Sequence, residues 1–309
     1  MKSLAGKIAV VAGATRGAGR GIALALGEAG ATVYCTGRSS REHPRSRPET
    51  IEETAEMVTA RGGNGIAVRV DHLVPADVEA LFERVGKFDI LVNDIWGGDE
   101  LTKFGEMFWE GSVEQNLQMM HNAIDTHIIA SRYGVPRLLE NGGGLVVEIT
   151  DGDFYGYRGH FFYDLVKTTV IRMAFGMAFE LRKHNVAAVA VTPGFLRSEF
   201  MLEHFKVTEE NWRDGAKIDP NFLVSETPLF VGRAVAALAA DPNIMQKSGR
   251  VFASWNLAEE YGFDDADGSR PHWGRHFVEA YREVPICDEG FYRYWFDGPI
   301  DALLEKMKM

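Results

Sequence analysis

The chain has 309 residues, 46% of them hydrophobic, and its 33 Lys+Arg against 44 Asp+Glu leave a net charge of -11. That balance disfavours nucleic acid and anionic membranes as partners, and no apolar run approaches the about 18 residues of a membrane span. Lys2 and Lys7 come with no apolar core of signal-peptide length, and Cys35 and Cys287 form no disulfide framework, so a reducing, cytoplasmic setting and a small-molecule partner are expected.

The size and composition suit one large α/β domain. In chain order, short β-branched runs alternate with amphipathic stretches: strand 7–12, helix 18–29, strand 31–36, helix 49–61, strand 65–70, helix 75–86 and strand 88–93. A long helix near 112–139 follows, then strand 145–150, helix 161–184, strand 186–192, helix 229–240 and strand 249–253. Runs such as Val186-Ala-Ala-Val-Ala-Val191 read as parallel strands buried on both faces. Right-handed crossovers then give a doubly wound sheet of about seven parallel strands, with ligands at their carboxyl ends. Residues 1–255 form this domain; 256–309 are a turn-rich, aromatic extension.

Two motifs carry the chemistry. Gly13-Ala14-Thr15-Arg16-Gly17-Ala18-Gly19 lies between the first strand and the first helix, where backbone N–H groups and the helix dipole make an anion site. Tyr163 and Lys167 stand four residues apart on one helical face, where an ammonium can tune a phenol. Alone, Tyr163-x-x-x-Lys167 more readily describes an amphipathic helix with a snorkelling lysine. Together with the G-x-x-x-G-x-G spacing, the order resembles the short-chain dehydrogenase/reductase family, from about residue 5 to residue 255. Asn93 ends a strand where that family carries Asn-Asn-Ala-Gly, and Pro193-Gly194 matches its Pro-Gly turn beside the nicotinamide. Ser198 stands where a Thr usually holds the carboxamide. The runs Asp241-Pro-Asn-Ile, Asn256-Leu-Ala-Glu-Glu-Tyr-Gly262 and Asp265-Ala-Asp-Gly268 are similar to the dehydrogenase/reductase member one subgroup.

The resemblance implies a Rossmann-type dinucleotide fold, and the residues themselves indicate which dinucleotide. An NAD enzyme places a carboxylate at the end of the second strand; here Gly37 stands there, followed by Arg38, with Arg16 opposite in the glycine turn. Two guanidinium groups suit a 2′-phosphate, so NADP(H) is preferred over NAD(H). Arg41, Arg45 and Arg47 either extend this basic patch or form a solvated loop. Asp71 matches the family's adenine-contacting Asp, or serves as a helix N-terminal carboxylate ahead of Pro75.

In the family's mechanism Tyr163 exchanges the proton and Lys167 holds the ribose and stabilises the phenolate. The family's Ser, thirteen residues before the Tyr, falls on Thr150; a loop one residue shorter would put Asp151 in that place. Its helical Asn falls on Ala123, with Asn122 one residue away and Asn116 farther, and one residue is about 100° on a helix. Trp96 walls the pocket or fills the core, and His272 with His276 has zinc-compatible spacing but no third ligand, so no metal is expected. The aromatics between Thr150 and Tyr163 (Phe154, Tyr155, Tyr157, Phe161, Phe162) either suggest a bulky, apolar or aromatic carbonyl or alcohol substrate or pack in part against a neighbouring subunit. The extension is expected to cover the cleft or a subunit interface of a homodimer or homotetramer. An NADP-dependent oxidoreductase is the leading reading. A non-catalytic dinucleotide sensor, or an imine reductase, dehydratase or epimerase on the same scaffold, remains the alternative.

Overall fold

The computed structural model describes residues 2–153 and 157–280. Its elements are β1 (Ile8–Ala12), α1 (Gly17–Glu28), β2 (Thr32–Gly37), α2 (Ile51–Ala60), β3 (Asn64–Arg69), α3 (Pro75–Val85) and β4 (Ile90–Asn93). There follow α4 (Val113–Met120), α5 (Thr126–Glu140), β5 (Gly144–Ile149), α6 (Phe161–Leu181), β6 (Val186–Thr192) and α7 (Glu199–Phe205). The last elements are α8 (Pro228–Ala240), β7 (Val251–Ala253), α9 (Ser254–Tyr261) and α10 (Trp273–Ala280).

The seven strands pair in parallel in the order β3-β2-β1-β4-β5-β6-β7, as the alternation of strand and helix signals requires. Every residue of β6 is buried, because helices cover both faces. One core cluster joins β1, β2 and β6 to α1 and α8; a second joins Val10, Leu91 and Val146 to α3 and α6. The order reverses between β1 and β4, and the crevice outside their carboxyl ends is the topological switch point.

Local chemistry sets the helix starts. Thr50 accepts from the Glu53 N–H ahead of α2, Pro75 opens α3, and Thr227 caps α8 with Pro228 in the first position. The long helix read at 112–139 is interrupted: α4 and α5 are joined by a π-helical turn, His121–Asp125. Such a turn inserts one residue and resets which side chains share a face. Beyond β7 the chain forms α9 and α10 where the sequence reads as turns. Among the described residues no helix is long and apolar enough to cross a membrane.

Candidate active site

A cavity of about 930 Å³ runs along the carboxyl ends of the strands, from the glycine turn to Tyr163 and Lys167. At one end the backbone shapes it. Gly13 has φ +94°, and a Cβ there would lie 2.6 Å from the Asp94 carbonyl oxygen, so only glycine fits. A Cβ on Gly19 would lie 2.3 Å from the Gly13 carbonyl oxygen; this glycine lets α1 approach the turn without itself facing the cavity. Thr15, Arg16, Gly17 and Ala18 line the wall at the start of α1. The Gly17 N–H donates to Glu199 Oε2 at 2.7 Å, so this helix start already accommodates an anionic oxygen. These features fit a dinucleotide diphosphate.

Gly37, Arg38 and Ser39 follow β2 along the same wall. Arg38 makes no ion pair among the described residues, whereas Arg16 lies 3.6 Å from Asp99. The basic loop is different: Arg41 pairs with both oxygens of Glu56, and Arg47 pairs with Glu49 and Glu203, so both are spoken for away from the cavity. Asp71 lines the cavity and accepts from the Leu73 N–H at 3.1 Å. Beside it, burial above all pushes His72 down to about 3, and its Nε2 lies 2.9 Å from Thr36 Oγ1.

At the other end side chains dominate. His160 accepts from the Tyr163 N–H and starts α6, which presents Tyr163 and Lys167 one turn apart. The Tyr163 hydroxyl donates to Asp151 Oδ2 at 2.8 Å. Burial first, then the Asp151 charge, raises the phenol well above its ordinary value. Lys167 Nζ lies 4.6 Å above the Trp96 ring; burial lowers its pKa while Asp151, Asp94 and Asp99 oppose that. Burial raises Asp94 to about 7. Thr150 spends its hydroxyl differently, donating to the Lys167 carbonyl at 2.7 Å. Of the two neighbours, Asp151 therefore touches the phenol and Thr150 holds the α6 backbone. The Arg158 guanidinium donates to the Asp151 carbonyl and, at 2.8 Å, to Asp164, linking the end of β5 to the first turn of α6.

The remaining sequence candidates separate. Pro193, Gly194 and Ser198 line the cavity, but Ser198 Oγ is engaged in capping α7, accepting from the Met201 N–H. Asn93 is fully buried and turns away, donating to Glu148 and Ser131, because alternation at the strand end sends its side chain toward α5. The π turn does what a regular helix would not: Asn122 lines the cavity and donates to the Gly97 carbonyl at 2.8 Å, while Ala123 is in the core. Asn116 is buried and Trp96 lines the cavity, edge-on to Tyr163 at 5.2 Å. Of the loop aromatics, Tyr157 and Phe161 are exposed, and Phe154 and Tyr155 lie outside the described residues. Among the described residues the aromatic walls include Trp96, Phe104, Phe195, Phe200, Phe205 and Trp273.

Two contributors carried no local signal. Glu199 reaches the glycine turn from α7. Trp273, on α10, packs edge-on against Phe195 at 5.7 Å and closes the cavity next to Gly194. Neighbouring His276 is 2.8 Å from Asn221, and His272 faces Glu259. The expected docking of the later aromatics, from Tyr281 to Phe296, and the place of Cys287 lie outside the described residues. The acidic motif at 265–268 has a clear use: Asp265 accepts from the Thr227 N–H and hydroxyl, and the buried Arg197 guanidinium lies 3.7 Å from Asp267 and 4.0 Å from Asp265. Arg197 also sits 3.9 Å over Trp212.

A family model described as short chain dehydrogenase matches residues 7–208. The chain is 35% identical over 272 residues to dehydrogenase/reductase SDR family member 1 of Mus musculus and of Homo sapiens, covering 85% of this chain and 84% of each relative. It is 27% identical over 209 residues to 7alpha-hydroxysteroid dehydrogenase of Clostridium sardiniense, covering 66% and 76%. Among solved structures, a hydroxysteroid dehydrogenase from Escherichia coli superposes with a TM-score of 0.65 at 23% identity, over 81% of this chain and 96% of that one. An Agrobacterium tumefaciens structure described with bound NADP superposes with a TM-score of 0.64 at 22% identity, over 81% and 95%.

Proposed function

This chain belongs to the short-chain dehydrogenase/reductase family, and from that premise we propose that it is an NADP(H)-dependent oxidoreductase acting on a bulky, largely apolar carbonyl or alcohol. The observation that carries the reading is a single cavity with an anion-binding helix start at one end and the Tyr163 hydroxyl at the other. NADPH would lie along Gly13, Thr15, Arg16, Gly17 and Ala18, with Arg38 and Arg16 toward the 2′-phosphate and Asp71 toward the adenine. When bound it supplies the hydride.

The chain's own groups handle the proton. Tyr163, its pKa raised by burial and the Asp151 charge, retains its proton at neutral pH, and the positive charge of Lys167 would offset that rise when the proton passes to a carbonyl oxygen. Lys167 adds positive charge beside the oxygen that would become anionic. Asp151 orients the hydroxyl by accepting from it, and Thr150 supports it by fixing the α6 backbone. Pro193, Gly194 and Ser198, which line the cavity, would hold the nicotinamide end of the cofactor. Trp96, Phe104 and Trp273 line the cavity and favour a planar apolar substrate. The NADP carried by a structural relative agrees with the cofactor assignment. A cytoplasmic homo-oligomer remains our expectation.

The test is substitution at the paired positions, using turnover of bulky aromatic ketones with NADPH. Asp151→Asn should lower kcat by about tenfold or more, on the scale of one orienting hydrogen bond to a charged group, with KM for NADPH little changed. Thr150→Ser should be tolerated. An inactive Thr150→Val beside a fully active Asp151→Asn would move the orienting role to Thr150, and no NADPH binding at all would remove the oxidoreductase reading.

A further inference from the structure

Behind the catalytic wall lies a polar cluster to which the mechanism above assigns no proton step. Glu148 on β5, Asn93 on β4, and His127 and Ser131 on α5 are all buried. Asn93 and Glu148 face each other across the β4–β5 pair, and Asn93 Nδ2 lies 2.8 Å from Glu148 Oε1 and 3.0 Å from Ser131 Oγ. Glu148 Oε2 is 2.5 Å from His127 Nδ1, and His127 Nε2 is 3.0 Å from the carbonyl oxygen of Ile95. Buried polar groups of this kind are often no better for stability than well-packed apolar side chains. What the cluster holds in place is therefore the relevant question.

A carbonyl oxygen only accepts, so His127 Nε2 must carry a proton and donate to Ile95, while Glu148 holds the ring from its other nitrogen. The next residue is Trp96, whose ring lies 4.6 Å beneath Lys167 Nζ and 5.2 Å from the Tyr163 ring. On the far side, the Gly97 carbonyl accepts from Asn122. Trp96 thus sits between two anchored carbonyls, and its indole is the surface against which the ammonium rests.

We propose that His127, held by Glu148, is a positioning residue that fixes Trp96 as the platform for Lys167 and Tyr163. The functional meaning rests on the reading of Tyr163 and Lys167 as the reacting pair, but the geometric claim does not. A cation over an indole face is directed as well as covered, so the platform sets both where the ammonium points and how far water reaches it. Neither role requires His127 to touch a substrate.

The experiment reads Lys167 directly, in the full-length protein without dinucleotide. Its rate of acylation by an amine-directed reagent is followed by peptide mass spectrometry, with the remote and largely covered Lys247 as a monitor of general loosening. His127→Gln keeps an N–H near the Nε2 position and so the bond to Ile95; His127→Asn keeps the Glu148 side and cannot reach Ile95. His127→Asn should speed Lys167 acylation about fivefold, the population change for losing one ordinary hydrogen bond, with Lys247 unchanged and His127→Gln near the parent rate. Trp96→Leu leaves the buried cluster intact and should accelerate Lys167 at least as much. Equal rates for His127→Gln and His127→Asn, or a parent rate for Trp96→Leu, would overturn the proposal. Turnover of a bulky aromatic ketone with NADPH by the parent protein tests the oxidoreductase reading separately.

Discussion

The two ends of the cavity are built on different principles. Around Gly13 and Gly17 the wall is mainly backbone, shaped by a tight turn, a helix start and strand ends. Around Tyr163 it is side chains from many segments: Asp151 after β5, Trp96 after β4, Phe195 after β6 and Trp273 on α10. A backbone site is encoded by a few adjacent residues, mostly glycine. A side-chain site depends on which face each segment turns inward, and so on contacts distant in sequence.

The largest effect that can separate the two ends is at Arg197. Its buried guanidinium faces Glu209 at 3.4 Å and Asp267 at 3.7 Å, distances of ion pairing rather than direct hydrogen bonding, and it also donates to the Ser225 carbonyl at 2.7 Å. Arg197→Leu leaves buried Asp265 short of its cation and should destabilise the protein by about 3–5 kcal/mol. Hydrogen exchange should rise first in 197–227 and 265–268, with β1–β3 protected; a uniform rise would show that the two ends do not open separately.

Smaller, but confined to chemistry, is Tyr163→Phe. It should lower kcat by about 10² or more while leaving NADPH affinity nearly unchanged, because the hydroxyl belongs to the side-chain end alone. Full activity in this variant would end the proposed proton transfer. The converse change acts at the backbone end: Arg38→Asp should reverse a preference for NADPH over NADH of about tenfold, or about 1.4 kcal/mol, in calorimetric titration. Tighter NADH binding by the parent protein would contradict the cofactor assignment.

The mildest effect is a pH dependence. Burial raises the Glu226 carboxyl from 4.5 to about 8, although the Ser254 hydroxyl and the Gly194 N–H both donate to it. The folded protein therefore keeps a proton that the unfolded chain releases, so this stabilisation is complete below pH 4.5 and lost as pH rises toward about 8. Glu226→Gln should flatten the decline in denaturant midpoint across that window. Part of the slope remains, since Asp94, raised from 3.8 to about 7, acts with the same sign. An unchanged slope would show that Glu226 is ionised in the folded state.

The sequence by itself determined the seven-strand alternation, the glycine turn and the shared helical face of Tyr163 and Lys167, because strand period, helix period and turn chemistry all act over a few residues. Only the tertiary structure decided that Thr150 turns to the α6 backbone and Asp151 to the phenol, since one residue of loop length separates those outcomes. The π turn that brings Asn122 into the cavity lies within a helix whose ends, but not its interior irregularity, are legible in the chain. Glu199 meets Gly17 across 182 positions, and Asp265 receives Thr227 across 38. Neither pairing leaves a periodic trace, because it forms only when the sheet has brought the strand ends together and burial then selects the polar partners that can satisfy one another.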